Sequence, residues 1–310
     1  MDLIVSMNKS LKIGYVCFSV ILLYFVQDHN LLKRGIVNDR LHIVFLVFVL
    51  IFGVVCIPVC HAQNETIGIV ALHGKAATAG NSPITPLVLE LVKKGFVVAV
   101  PEMPYSKFRR YDKGYEETML EIDDAIKEVK KEGAKKIFIL GHSLGANVAL
   151  HYATRTVIDG VIAVAPGHTP ETPSFQKVVK DSVHRARQMV KEGKGNQRDI
   201  FTDTNQGKTS SIEVPASVYL SWFDPDGPAV IPKNIRAMNP KTALLWIVGK
   251  NDPIYKQGPQ YAFNLAPSNK HNMYLVINSS HTNAPASAAE EIMAWLSDFQ
   301  TETSFKELSI

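Results

Sequence analysis

Short apolar runs alternate with amphipathic stretches along most of the chain. The runs at 67–72, 96–100, 137–140, 161–165, 244–248 and 273–277 are compact and dominated by Val, Ile, Leu, Ala and Phe. Runs of that length, without polar alternation, predict six strands buried on both faces. Helical spacing appears between them. Residues 85–94 carry Pro86 where a first helical turn accepts it. Met119, Ile122, Ala125, Ile126 and Val129 recur on one face of a charged segment, and 144–154 is a run of small and apolar residues. At 284–299, Ile292, Trp295, Leu296 and Phe299 share a face, with Thr282 or Asn283 placed to cap the helix. Strands and helices in alternation predict the α/β class: a compact, mostly parallel sheet of about six strands with helices on both sides.

The alternation breaks between Ala165 and Leu244. A Pro-rich turn at 166–173 leads into a basic helical pattern at 175–194. A glycine-containing loop (Gly193, Gly195, Gly207) and the aromatic stretch VYLSWFDPDGP follow. Residues 168–215 read as an insertion or cap over one end of the sheet. An ordinary crossover helix with a solvated basic face is the alternative for 175–194.

The N-terminus is of another kind. Residues 41–62, LHIVFLVFVLIFGVVCIPVCHA, follow Lys33, Arg34 and Arg40 and end on a small residue. That pattern predicts a leader over 1–62. It reads as a signal peptide cleaved near Ala62, giving a periplasmic or secreted protein, or as a retained anchor that would associate the protein with a membrane. Its depth in the chain suggests a translation start downstream, near Val37. Residues 63–310 then form the mature domain. Cys17, Cys56 and Cys60 are the chain's three cysteines. None falls in the mature part, which excludes disulfides, cysteine metal sites and a cysteine nucleophile there.

Composition adds little: 46% hydrophobic, 20% charged and a formal net charge of +4 are ordinary for a globular domain. Without a dense basic block, nucleic-acid binding is not indicated. No H-E-x-x-H spacing occurs, so no metal is expected.

The chemistry concentrates in IFILGHSLGANVALHYA. Ser143 stands between Gly141 and Gly145, after one predicted strand and before one predicted helix. A serine hydroxyl needs an exposed position, a base and an anion site to act as a nucleophile. A sharp strand-to-helix turn supplies the position, and flanking glycines admit the close backbone approach. With this motif in that context, residues 67–300 resemble the α/β-hydrolase fold superfamily. The resemblance implies Ser143 as nucleophile and the Leu144 N–H as one oxyanion donor. ALHGKAATAG, after the first strand, resembles the family's HG motif through His73 and Gly74, and implies the Lys75 amide as the second donor. Asp252 in LLWIVGKNDPIY and His281 in YLVINSSHTNAP match the acid and base, in the superfamily's chain order. Read singly, Asp252-Pro253 could be a turn and His281 a helix cap.

The reaction class expected is acyl transfer to water, on a small-molecule ester and without a cofactor. Thioester and peptide cleavage are the alternatives within enzymes, and a non-catalytic binding module or receptor is the alternative outside them. Met103, Tyr105, Phe108, Trp222 and Phe223 are the candidate pocket lining, for an apolar acyl or aryl group. Arg109, Arg110 and Lys75 could favour an anionic one. No sequence feature sets an oligomeric state.

Overall fold

The computed structural model describes residues 65–301; the leader expected over 1–62 lies outside the described residues. Six parallel strands form one sheet in the order β2-β1-β3-β4-β7-β8. They are β1 (Ile67–Leu72), β2 (Val97–Ala99), β3 (Lys136–His142), β4 (Gly160–Val164), β7 (Ala243–Gly249) and β8 (Met273–Ile277). The predicted runs and the strands agree to within two residues at each end.

The lack of polar alternation has the expected cause: both faces of the sheet are covered. Along β3, Ile137 and Ile139 enter one core, while Phe138 and Leu140 enter the other. The first core is closed by helices α2 (Tyr115–Lys131) and α3 (Leu144–Arg155), and the second by α1 (Thr85–Lys93) and α8 (Ala289–Thr301). Helix α2 buries Met119, Ile122, Ala125, Ile126 and Val129, the stripe read from the sequence. The last helix differs from expectation. It comes in two pieces, α7 (Ala284–Ser287) and α8, and the Asn283 side chain makes no capping bond.

Between β4 and β7 the chain builds α4 (Pro173–Lys191), the antiparallel hairpin β5 (Arg198–Asn205) and β6 (Lys208–Pro215), then α5 (Ala216–Phe223) and α6 (Ile231–Ala237). Thr172 caps α4 by accepting the Phe175 amide. The hairpin stands where the sequence reading has a loop. Its turn, Gln206-Gly207, holds φ of 49° and 76°, the paired left-handed conformation that matches the twist of a tight hairpin. Along β5, Phe201 and Asp203 both face inward and are buried. A charge at an inward position hides the two-residue period that would have revealed a strand.

Among the described residues, no helix is long and apolar enough to cross a membrane.

Candidate active site

The carboxyl ends of five strands converge on Ser143. In an open parallel sheet this edge is where the loops from neighbouring strands can meet. β3 ends at His142, and Ser143 follows with φ 56° and ψ −120° before α3 begins. For a residue with a Cβ, that backbone is strained. It is held by Ser143 N–H donating to Val164 O, and by the Ser143 carbonyl accepting from Ala146, Asn147 and Gly167. The turn needs its two glycines for space. A Cβ on Gly141 would lie 2.3 Å from Gly145 O, and one on Gly145 would lie 2.3 Å from Leu72 O.

Asp252 follows β7 and His281 follows β8. His281 Nε2 is 3.0 Å from Ser143 Oγ, and His281 Nδ1 is 2.6 Å from Asp252 Oδ2. The carboxylate can only accept, so Nδ1–H donates to it. Nε2 is then the ring's free acceptor and faces the serine hydroxyl. The second oxygen, Asp252 Oδ1, accepts the Ile254 amide at 2.9 Å. Asp252 and Ser143 are buried, and the His281 side chain between them is 14% exposed, so the line is most open at its central imidazole. The structure thus brings together all three side chains that the sequence reading pairs. Asp252 is also the cap of the short helical turn Pro253–Gln257, so the turn reading and the site reading describe one residue.

The loop after β1 is fixed by His73. Its Nδ1–H donates to Gly74 O at 2.8 Å, and its Nε2 accepts the Met103 amide at 3.1 Å. Burial lowers the His73 pKa and keeps the ring neutral, as this two-way bonding requires. Gly74 O and Lys75 N–H belong to one trans peptide. Holding the oxygen toward His73 therefore turns the Lys75 N–H to the opposite side. A Cβ on Gly74 would sit 3.4 Å from Ser143 Cβ, which places this peptide against the serine. Among the described residues, neither the Lys75 amide nor the Leu144 amide donates to another backbone group.

Two contributors escaped the sequence reading. Gly167 closes the near side of the site: a Cβ there would lie 2.9 Å from Ser143 Oγ and 3.6 Å from His281 Cε1. Its loop is tied down by Asn147, one turn into α3, whose amide donates to His168 O and Ala229 O, each at 2.7 Å. The signal was present in APGHTP, a glycine three residues past the end of β4, but nothing in one sequence ranks it above other loop glycines. The second is His142. Its Nε2–H donates to the His281 carbonyl at 2.9 Å, and its ring centre is 5.0 Å from that of His281. Burial, followed by the electrostatic influence of the neighbouring His281 ring, pushes its pKa down to about 4, so the ring stays neutral.

A cleft of about 650 Å³ opens beside Ser143, with Leu144, Gly167, His168, His281 and Lys75 around it. Its outer wall comes from α4 (Ser174, Phe175, Val178) and from the hairpin tip (residues 204–207). The expected lining is corrected here. Met103, Tyr105, Trp222 and Phe223 are all at most 1% exposed, lie in the core, and do not line the cleft. They are large apolar side chains next to a site, and the core claims them first. Phe108 is 75% exposed and outside the cleft. Arg109 is occupied by Glu121 and Asp112, so it is not an anion receptor at the mouth. Arg110 does not line the cleft either. Among the described residues, no group of His, Cys, Asp and Glu could hold a metal ion.

The fold has counterparts among solved structures. A monoacylglycerol lipase from Paleococcus ferrophilus is 22% identical with a TM-score of 0.53, covering 76% of this chain and 96% of that one. A thermostable carboxyl esterase from Bacillus coagulans, solved with glycerol, is 16% identical with a TM-score of 0.54, covering 77% and 92%. Est1E from Butyrivibrio proteoclasticus, solved with ferulic acid, is 14% identical with a TM-score of 0.52, covering 76% and 90%. At these identities the likeness speaks for the fold. No curated protein sequence matches the chain. The profile of the alpha/beta hydrolase family matches residues 69–295, from β1 into the last helix and across every strand end described above. On that match and this topology, the chain belongs to the alpha/beta hydrolase family.

Proposed function

We propose that the protein is a serine hydrolase that cleaves carboxylic esters through an acyl-enzyme on Ser143. The observation that carries this reading is the line Ser143 Oγ–His281 Nε2–His281 Nδ1–Asp252 Oδ2, at 3.0 and 2.6 Å, mounted on a strained turn. Serine alone is a weak nucleophile at neutral pH. Here His281 Nε2 takes the hydroxyl proton as Oγ bonds to the ester carbonyl carbon. Asp252 keeps the ring in the tautomer that leaves Nε2 free, and stabilises the imidazolium that forms. The carbonyl oxygen becomes an oxyanion between the Lys75 and Leu144 amides, neither of which has a competing backbone acceptor among the described residues. Two such fixed donors are worth several kcal/mol of barrier, about 3 kcal/mol for each. The imidazolium then protonates the departing alcohol. A water, deprotonated by the same imidazole, then bonds to the acyl carbon; the carbon–Oγ bond breaks, the imidazolium returns the proton to Ser143 Oγ, and the acid leaves.

Esters are favoured over peptides because the cleft is modest and walled by small and polar groups with Phe175, Val178 and Ile254. This suits a short acyl chain better than an extended polypeptide. Turnover of 4-nitrophenyl esters of graded acyl length tests the reading. Ser143→Ala should abolish it while leaving the fold intact, and Asp252→Asn should lower kcat by about 10⁴-fold through the wrong tautomer. Near-normal turnover in either variant overturns the assignment.

A further inference from the structure

Lys75 places its backbone at the anion site and sends its side chain elsewhere. Nζ donates to Asp203 Oδ1 at 2.6 Å and to Thr204 O at 2.9 Å, both on strand β5 of the hairpin. The two side chains are 4% and 7% exposed. Around the ammonium stand the rings of Tyr111, Phe175 and Phe223, with centroids 5.2–5.9 Å from Nζ. They come from the loop after β2, from α4 and from α5, so the ammonium lies where these elements meet. A lysine stem can normally reach solvent and keep its charge hydrated. This one is buried, and burial of either charge without the other is strongly unfavourable.

The same few residues also form the cleft. Thr204 follows Asp203 directly, and Thr204 to Gly207 line the cleft opposite Ser143 together with Lys75 itself. One lysine therefore touches both parts: its peptide lies against the nucleophile, and its ammonium grips the hairpin that walls the substrate space.

Resting on the hydrolase reading above, we propose that Asp203 is a positioning residue: through Lys75 it clasps hairpin β5–β6 to the oxyanion loop, so that one ion pair sets both the cleft wall and the direction of the Lys75 amide. His73 holds the Gly74–Lys75 peptide from one side, and Asp203 holds the same residue from the other. Loss of Asp203 frees the side chain of a residue whose main chain must stay aimed at a developing charge.

The pair could serve stability alone, and the test separates the two roles. Asp203→Asn and the double variant Lys75→Met/Asp203→Leu are compared with the wild type. The readouts are melting temperature, kcat and KM on a short acyl ester, and the inhibition constant of an alkyl boronic acid that forms a tetrahedral adduct on the serine. The double variant removes both charges at similar volume, a change that buried ion pairs often tolerate, so it decides the matter if Asp203→Asn fails to fold. The expected result is a kcat lower by about tenfold or more in each folded variant, KM within about threefold, and boronate affinity weakened by the same factor as kcat. A folded variant with kcat and boronate affinity within about twofold of wild type overturns the proposal, whatever its melting temperature. A wild-type protein that neither cleaves the ester nor binds the boronate overturns the hydrolase reading itself, a result distinct from a variant-specific failure.

Discussion

Replacing Gly167 with alanine would place a methyl 2.9 Å from Ser143 Oγ and 3.6 Å from His281 Cε1. Unstrained carbon–oxygen contacts lie at about 3.3 Å or more, so one atom must yield by roughly 0.4 Å. The hydroxyl is the softest partner, because it ends a rotatable side chain. Its bond to His281 Nε2 is 3.0 Å, and a shift of that size stretches it to the edge of hydrogen-bonding range. Misplacement of a reacting group by about 1 Å costs about 10²-fold, and full loss of general-base help about 10²–10⁴-fold. Gly167→Ala should therefore lower kcat by about 10- to 100-fold, equivalent to about 1.4–2.7 kcal/mol of barrier. Stability should hardly change. Gly167 is not among the positive-φ glycines, so alanine fits its backbone, and a gain of about 0.4–1 kcal/mol from the stiffer unfolded chain offsets the contact. Steady-state kinetics on a short acyl ester, with a melting curve beside them, measure both. An unchanged kcat refutes the assigned geometry, and so does a rise in KM alone, since that would mean the methyl obstructs substrate and leaves the nucleophile in place.

Other consequences follow from the same geometry. Ser143→Gly should raise the melting temperature by a few degrees, because a left-handed non-glycine residue costs on the order of 1–3 kcal/mol; a lower melting temperature contradicts the strain at the turn. His142 is held neutral in the fold with a pKa near 4, against 6.5 in the open chain. The unfolded state then binds its proton first as pH falls, and stability is lost between about pH 6.5 and 4, by about 2.5 kcal/mol at pH 4.5. His142→Phe should remove that share of the acid slope in urea titrations at pH 7 and 4.5, and equal slopes in both proteins would clear His142 of the effect.

Much of this was legible in the chain because the strong signals are local. Unbroken aliphatic runs such as 137–140 mark strands covered on both faces, and covered strands are what a parallel sheet requires. A glycine-flanked serine between strand and helix carries its own stereochemistry. Asp252 and His281 could be named because each follows such a run. What stayed hidden is set by partners distant in sequence. Asp203 disguises β5 by standing inward, and its reason for doing so is Lys75, 128 residues away. Gly167 matters only because Ser143 turns toward it. Tyr105 follows the second strand and Trp222 lies by the insertion, yet they pack edge to face against each other at 5.6 Å in the core. Sequence proximity to a strand end does not say which way a ring points.

The central claim is that Ser143 is an activated nucleophile. Incubation with a fluorophosphonate, followed by intact mass and peptide mapping, measures this directly. The account predicts one phosphonyl adduct per chain, on the peptide containing Ser143, absent from Ser143→Ala and slow to form in Asp252→Asn. An unmodified protein, or an adduct on any other residue, contradicts it.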